Sequence, residues 1–390
     1  MSHINDLIAE LCPEGVRFET LGSLLQTSTN IRWTEHGDEK YRYIDLTSVD
    51  RITHSIANAE VITRTNAPSR AQQIIREGDV IFGTTRPMLR RYCLIPSQFD
   101  GQIASTGYCV LRPKKDRLLP NFLFHAIGTA EFYSYVEANE RGASYPAIPD
   151  SVVKRYRVPV PPLEVQQEIV RVLDQFTQLE AELEAELEAR RRQYEHYSHD
   201  LLTIPTDVDW IPLGKAVRNF DKLRRPITRS ARVEGIYPYY GANGIQDYVH
   251  EFIFDGTFLL MGEDGSVKRA DGTPVLNWAT GKFWVNNHAH VLTVADDRFN
   301  LRFLYHYLGT IDISSYVTGG TQPKINQSNL NRIPVPLVSR TVQDEVAARL
   351  DAFDVLVNDL SSGLPAELAA RRKQYEYYRD RLLTFKEAAV

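Results

Sequence analysis

The feature that most constrains this chain is a line written twice. ARRRQYEHYSHDLLTI at Ala189–Ile204 returns as ARRKQYEYYRDRLLTF at Ala370–Phe385, 181 residues on, with ten of sixteen positions identical. Average composition would give about one chance match. The period is far longer than the roughly 20–50 residues of solenoid repeats. The reading is a duplicated half-molecule.

The match spreads outward from that line. VPVPPLEVQQEI at Val158–Ile169 parallels IPVPLVSRTVQDEV at Ile333–Val346, and LDQF at Leu173–Phe176 parallels LDAF at Leu350–Phe353. Further upstream, SYPAIPDSVVKR from Ser144 parallels TQPKINQSNLNR from Thr321, each just after a glycine. Downstream, Ile204-Pro205 leads into DVDWIPLG at Asp207–Gly214, as Cys12-Pro13 leads into GVRFETLG at Gly15–Gly22. The order is domain, helix, domain, helix. A chain with this cyclic grammar closes into a pseudo-twofold object, and Ile4–Leu11 reads as the tail of a preceding helix.

Pro161-Pro162 and Pro336 set the helix starts, where proline is tolerated. Phe176, Leu179, Leu183, Leu187, Arg190, Tyr194, Tyr197 and Leu201 recur at helical spacing, as do Phe353, Leu356, Leu360, Leu364, Leu368, Arg371, Tyr375, Tyr378 and Leu382. About forty residues at 1.5 Å each give a rod of roughly 60 Å. Two such stripes in one chain predict an intramolecular, antiparallel coiled coil. The second stretch is about one turn longer and carries Gly363 and Pro365, which predict a break or kink there.

Between the helices the texture changes to short alternating runs such as KYRYIDLTSV, DVIFGTT, FIFDGTFLLMG and HAHVLTV. Turn signals such as Asn243-Gly244 and Asp264-Gly265 interrupt them. One helix is expected in each, LPNFLFHAIGTAEFYSYVEA and LRFLYHYLGT. The fold class is therefore α+β, with two strand-rich domains separated by two long helices. The expected boundaries are 1–160 and 204–336 for the domains, and 161–203 and 337–386 for the helices. The two domains share edges, but their middles hardly align: one scaffold with two different surfaces.

The formal net charge of −5 argues against a generic DNA coat. Most of the acidity lies in Leu163–Thr203, at −6, so a nucleic-acid surface has to be a local patch. Cys12, Cys93 and Cys109 show no paired or metal spacing and read as reduced thiols. No apolar run approaches the ~20 residues of a membrane span, and the acids in MSHINDLIAELCPEG do not suit a signal peptide. The expectation is a cytoplasmic protein.

No catalytic constellation is visible. The only Pro-Pro opens a helix, and no P-loop, H-E-x-x-H or G-x-S-x-G is present. His288 and His290 alternate on a strand, but no clear third ligand follows. Nucleic-acid contacts are the better candidates. Thr84, Thr85, Arg86, Arg90 and Arg91 crowd one stretch, and Lys222, Arg224 and Arg225 another. Arginine forks suit phosphates and guanine edges, and hydroxyls and amides suit bases and backbone. Tyr240 and Asn243 in YYGANG, Ser144 and Tyr145, and Thr321, Gln322 and Lys324 complete the candidate DNA contacts. Single arginines in such loops are as often merely solvated, and an aromatic pair beside an Asn-Gly turn is as often core. On the helices, Arg190, Arg191, Tyr194 and Tyr197, with Arg371, Arg372, Tyr375 and Tyr378, are candidates for binding a partner protein.

The layout resembles the specificity subunit of type I restriction–modification systems. GLPAELAARRKQYEYYRDRLLTF resembles the distal helix of that family, LIAELCPEGVRFETLG its opening, and VPVPP, IPVP, FGTTRP and RGASYPAI its internal motifs. The resemblance implies a noncatalytic scaffold whose two target-recognition domains read the halves of a bipartite double-stranded DNA site. It implies two methyltransferase subunits docked on the helices, which methylate adenine with S-adenosylmethionine. It also implies restriction subunits that supply ATP- and magnesium-dependent translocation and cleavage, with no cofactor in this chain. The first helix departs from the pattern: EAELEAELEARRR replaces the Gly-Leu-Pro break and is one turn shorter, so helix length is expected to set half-site spacing. The rivals are a free-standing methyltransferase or nuclease, disfavoured by the missing motifs, and a coiled-coil adaptor holding two protein partners without DNA.

Overall fold

The computed structural model describes residues 2–204, 208–359 and 361–389. Pro205, Asp207 and Leu360, which figure in the boundary and stripe readings above, lie outside the described residues, as does Met1. The chain divides into two compact units, Met1–Glu184 with Leu368–Val390, and Ala185–Glu367. Each is α+β. The long helix Leu163–Leu201 contributes its first part to unit 1 and its last to unit 2.

Unit 1 holds three sheets among the described residues. One has the order Leu25–Gln26, Tyr108–Pro113, Val80–Gly83, Tyr92–Leu94, all antiparallel. The second has the order Thr29–Asn30, Ala71–Ile74, Ile103–Ser105, Tyr41–Ile44, Glu60–Ile62, with one parallel pair, Tyr41–Ile44 beside Ile103–Ser105. A short ladder joins Phe18–Thr20 to Arg157–Pro159. Valine, isoleucine and aromatic residues make these strands, as their fit to a pleated, half-buried surface demands. Phe82, Tyr92, Phe122, Phe132 and Tyr133 form the main core with Val165, Ile169 and Leu173 of the long helix and Tyr375 of the Leu364–Leu382 helix.

The single helix expected over LPNFLFHAIGTAEFYSYVEA is two, Pro120–Ala126 and Ala130–Asn139. The break has a local cause. The Thr129 side chain accepts from the Phe132 N–H as an N-cap, and a Cβ on Gly128 would lie 2.5 Å from the Tyr92 hydroxyl.

Unit 2 builds one six-stranded sheet, in the order Val217–Asn219, Ala289–Val294, Phe254–Gly262, Leu276–Val285, Glu234–Gly241, Gly244–Val249. Its short ladder, Trp210–Pro212 with Pro334–Pro336, repeats that of unit 1. One core gathers Phe299, Phe303, Leu304, Leu330 and Leu350. Another stacks Phe254 on Phe283, ring centroids 5.4 Å apart, beneath Leu260 and Val291. The second helical stretch is interrupted as Gly363 and Pro365 predict: Arg340–Asn358 ends, and Leu364–Leu382 begins after Gly363. Only glycine fits there, because a Cβ would stand 2.4 Å from the Val355 carbonyl oxygen.

The repeat shows its purpose in how each strand domain is keyed to helix. In unit 1, buried Gln166 accepts from the Leu119 N–H and donates to the Arg117 and Pro161 carbonyls, at 2.8–2.9 Å. In unit 2, buried Gln343 accepts from the Asn300 N–H and donates to the Arg298 and Val338 carbonyls, also at 2.8–2.9 Å. His125 lies 2.9 Å from Asp174, and His306 lies 2.7 Å from Asp351. Phe176 stacks on Tyr378 at 5.4 Å, and Phe353 on Tyr197 at 5.6 Å. In unit 1 the helices run antiparallel, since Phe176 meets Tyr378 while Glu180 and Glu184, further on, pair with the earlier Arg372.

Candidate nucleic-acid interface

The Ser144 and Thr321 segments become the same loop in the two units. In unit 1, Arg141 bridges Ala147 around Gly142, whose φ of 103° is the left-handed region that glycine tolerates. In unit 2, Thr318 bridges Lys324 around Gly319, at φ 85°. Each loop is laid along a turn leaving a buried strand. In unit 1 the Ile148 N–H donates to the Thr84 carbonyl, the Arg86 N–H to the Pro146 carbonyl and the Thr84 N–H to the Gly107 carbonyl, at 2.7–2.9 Å. In unit 2 the Ile325 N–H donates to Glu263, the Gly265 N–H to Pro323 and the Glu263 N–H to His288, at 2.8–3.0 Å. Backbone bridges Thr85 to Ala147 and Asp264 to Lys324 complete the match. In each unit one loop and one turn are thus fixed by main-chain bonds, and their side chains are left to differ.

In unit 1 the exposed top carries Arg86, Ser144 and Tyr145. Tyr145 is 72% exposed, unusual for a large aromatic, and the Arg86 guanidinium lies over its ring at 4.6 Å. Arg86 also holds a left-handed backbone, φ 49°, of the kind a non-glycine residue keeps only where its surroundings enforce it. The neighbouring candidates sit elsewhere. Thr84 is buried, its hydroxyl on the Gly107 carbonyl. Thr85 is half-buried on the loop bridge. Arg91 donates to the Leu46 carbonyl. Arg90 lies over the Tyr133 ring at 4.5 Å and faces a cavity of about 260 Å³, lined also by His54, Tyr92, Glu180, Arg372, Tyr375 and Arg379.

In unit 2, Thr321, Gln322 and Lys324 are exposed, and the Gln322 side-chain N–H donates to Asp264 at 3.0 Å. Asp264 was missing from the sequence-level candidates. It sits where Thr85 sits in unit 1, and only the backbone match reveals this. Below it lies buried Glu263, which pairs with Arg224 at 2.5 Å and Lys324 at 3.4 Å. Arg224, with a side chain only 12% exposed, also donates to the Ala289 carbonyl and braces the site from within. Lys222 and Arg225 are exposed. Tyr240 packs edge-on against Phe283, and burial raises its phenol pKa. Asn243 is exposed in the turn between Glu234–Gly241 and Gly244–Val249.

Ligand-type atoms of Asp221, Glu263 and His290 come within 4.8 Å of one another, so two carboxylates join one of the two alternating histidines. His288 is not in the group. Both His290 ring nitrogens already face partners within the fold, Asp221 at 2.6 Å and the Ile325 carbonyl at 2.8 Å. Arg224 and Lys324 supply the countercharge. Hydrogen bonds from His290 and the Val291 N–H hold the Asp221 carboxyl below its usual range against the opposing cost of burial. The cluster is an internal ion-pair network.

Several candidate partner-binding residues turn inward. Tyr375 is buried with its hydroxyl 2.8 Å from His125. Tyr378 stacks on Phe176, and Tyr194 and Tyr197 lie against Phe353. Arg372 pairs with Glu180 at 2.5 Å and with Glu184. Arg190 bonds Gln193 and Glu186, and Arg371 bonds Gln374. Arg191 and Arg371 remain exposed, as does Tyr197 despite its contact with Phe353. Among the described residues no helix is long and apolar enough to cross a membrane.

Known proteins share this construction. The family described as "Type I restriction modification DNA specificity domain" matches twice, over residues 15–189 and 215–370. A putative type I restriction enzyme specificity subunit of Haemophilus influenzae is 41% identical over 186 residues, 47% of this chain and 48% of that one. The EcoR124I/EcoR124II specificity subunit of Escherichia coli is 28% identical over 242 residues, 57% of this chain and 60% of that one. The chain thus spans about half to three fifths of the length of these curated relatives. A solved chain from work on complex assembly and conformational transition of the type I R-M system aligns with TM-score 0.63 and 25% identity, over 95% of this chain and 98% of that one. The S subunit of a type I restriction-modification system from M. genitalium shares the fold, with TM-score 0.56 and 15% identity over 95% of this chain and 96% of that one. With the twofold match falling on the two units that carry the matched loops, the chain belongs to the type I restriction modification DNA specificity family.

Proposed function

We propose that this chain is the noncatalytic DNA-specificity subunit of a type I restriction–modification assembly. Each strand-rich domain, 1–160 and 204–336, reads one half of a bipartite duplex site. The helical stretches 161–203 and 337–386 set the distance between half-sites and dock two methyltransferase subunits. Arg191, Tyr197 and Arg371 are the docking candidates that stay at the surface. S-adenosylmethionine belongs to the methyltransferases, and ATP and magnesium to any restriction subunit that joins. The place of action is the cytoplasm.

One observation carries this reading: the same loop-and-turn framework is built twice from backbone hydrogen bonds and then given different exposed side chains. A scaffold with two identical partners has no need of two different surfaces, whereas a reader of an asymmetric site does. The test is a domain exchange. Residues 21–155 are replaced by the corresponding region of a relative, and adenine methylation is mapped across the host genome. A reader changes one half of the methylated motif and keeps the other. An unchanged motif refutes the assignment.

A further inference from the structure

The framework fixes which side chains stand at equivalent points, and there the two units differ in chemistry. Through the matched bridges, Tyr145 corresponds to Gln322, Thr85 to Asp264 and Arg86 to Gly265. Unit 1 therefore presents a cation stacked on an aromatic ring, and unit 2 presents an amide oriented by a carboxylate.

The Arg86 guanidinium lies over the Tyr145 ring at 4.6 Å, and its side chain makes no hydrogen bond among the described residues. Its N–H fork therefore stays available beside the Tyr145 ring. That is the donor pair that guanine O6 and N7 accept in the major groove. Gln322 differs. One amide N–H is committed to Asp264 at 3.0 Å, which fixes which way the amide faces. The carbonyl oxygen and the second N–H remain. One acceptor beside one donor is the complement of adenine N6–H and N7.

We infer that the two half-sites are read by different base chemistry: Arg86, oriented by Tyr145, recognises a guanine in one, and Gln322, oriented by Asp264, recognises an adenine in the other. This rests on the DNA-reading function proposed above. Arg86 and Gln322 touch the base, and Tyr145 and Asp264 are positioning residues. Arg224, Arg90 and Arg91 contact no base, because their guanidinium groups are engaged inside the fold.

The test uses the full chain purified with its methyltransferase subunit. A randomised duplex library is methylated with S-adenosylmethionine, and the modified molecules are sequenced. Wild type should yield a bipartite motif. Arg86→Ala should lose guanine preference at one position of one half, and Gln322→Ala should lose adenine preference at one position of the other, each by roughly 5- to 100-fold. Tyr145→Ala and Asp264→Asn should weaken the same positions less. Each variant must keep the unaffected half-site, which a misfolded chain would not do. A motif unchanged in both variants overturns the inference and leaves the proposed function standing. So does a uniform loss of yield with the motif unchanged, which marks phosphate contacts. Failure of wild type to select any motif overturns the proposed function, and this assignment with it.

Discussion

His54 shows how much one residue in unit 1 is asked to hold. Its backbone is left-handed at φ 52°, its ring stacks on Tyr92 at 3.9 Å, and its buried Nδ1 has no hydrogen-bond partner. Burial, aided by Arg379 and Arg90 against the opposing Asp50, lowers its pKa to about 4. The unfolded chain therefore takes up a proton that the folded one refuses between about pH 6.5 and 4. The stabilisation is complete above the unfolded value and is lost as pH falls through that window, on the order of 3 kcal/mol at the acid end. Burial lowers His125 and His306 too, so they act in the same direction. Denaturant titrations across this range should show the loss. His54→Asn, which tolerates left-handed backbone and does not titrate, should reduce its size; an equal pH dependence in the variant would show that His54 is not responsible. The cysteines are quieter: burial raises the Cys93 thiol to about 12 and raises Cys109 as well, so both are poor nucleophiles at neutral pH.

Among elements, the decisive joints are those between strand domain and helix. Gln166 and Gln343 each satisfy one backbone N–H and two carbonyls that would otherwise be buried without partners. Gln166→Ala should cost about 1–3 kcal/mol, since the groups left behind keep their desolvation penalty. Urea unfolding would measure it, and Gln343→Ala should match it in unit 2. Gly363→Ala should also destabilise, because its methyl would meet three carbonyl oxygens at 2.4–3.0 Å; a neutral effect would mean that the segment between the helices yields easily. These joints were legible in the sequence, because a packed joint constrains side chains. Gln166 with Gln343, Asp174 with Asp351 and Phe176 with Phe353 lie inside the aligned stretches. The equivalence of Thr85 with Asp264 was not legible, because those turns are held by main-chain bonds that do not depend on side-chain identity at these two positions. Spacing alone also overrated Arg90, Arg91 and Arg224, since a run of arginines does not reveal which ones fold back onto carbonyls and carboxylates. Likewise, the tyrosines of the repeated line looked like a docking stripe until Tyr375 and Tyr378 found partners within unit 1.

For the whole molecule, charge sets the expectation. A chain with net charge −5 and few unpaired cations on its matched loops has little counterion release to draw on. Alone, it should bind duplex DNA weakly, and the methyltransferase subunits should confer tight, specific binding. Fluorescence anisotropy at several salt concentrations, with and without the methyltransferase, measures this; tight site-specific binding by the isolated chain would refute it. The backbone-only frame has a last consequence, for how such a protein changes over generations. Positions 85, 144 and 145, and 264, 321 and 322, can be rewritten one at a time without breaking the main-chain bonds that hold their loops, whereas 86 and 265, left-handed at φ 49° and 79°, are more constrained. New preferences are then reachable by single codon changes in a lineage that never passes through an unfolded ancestor. The repeated line cannot drift so freely, because Tyr194, Tyr375 and Tyr378 are packed into the molecule's own joints.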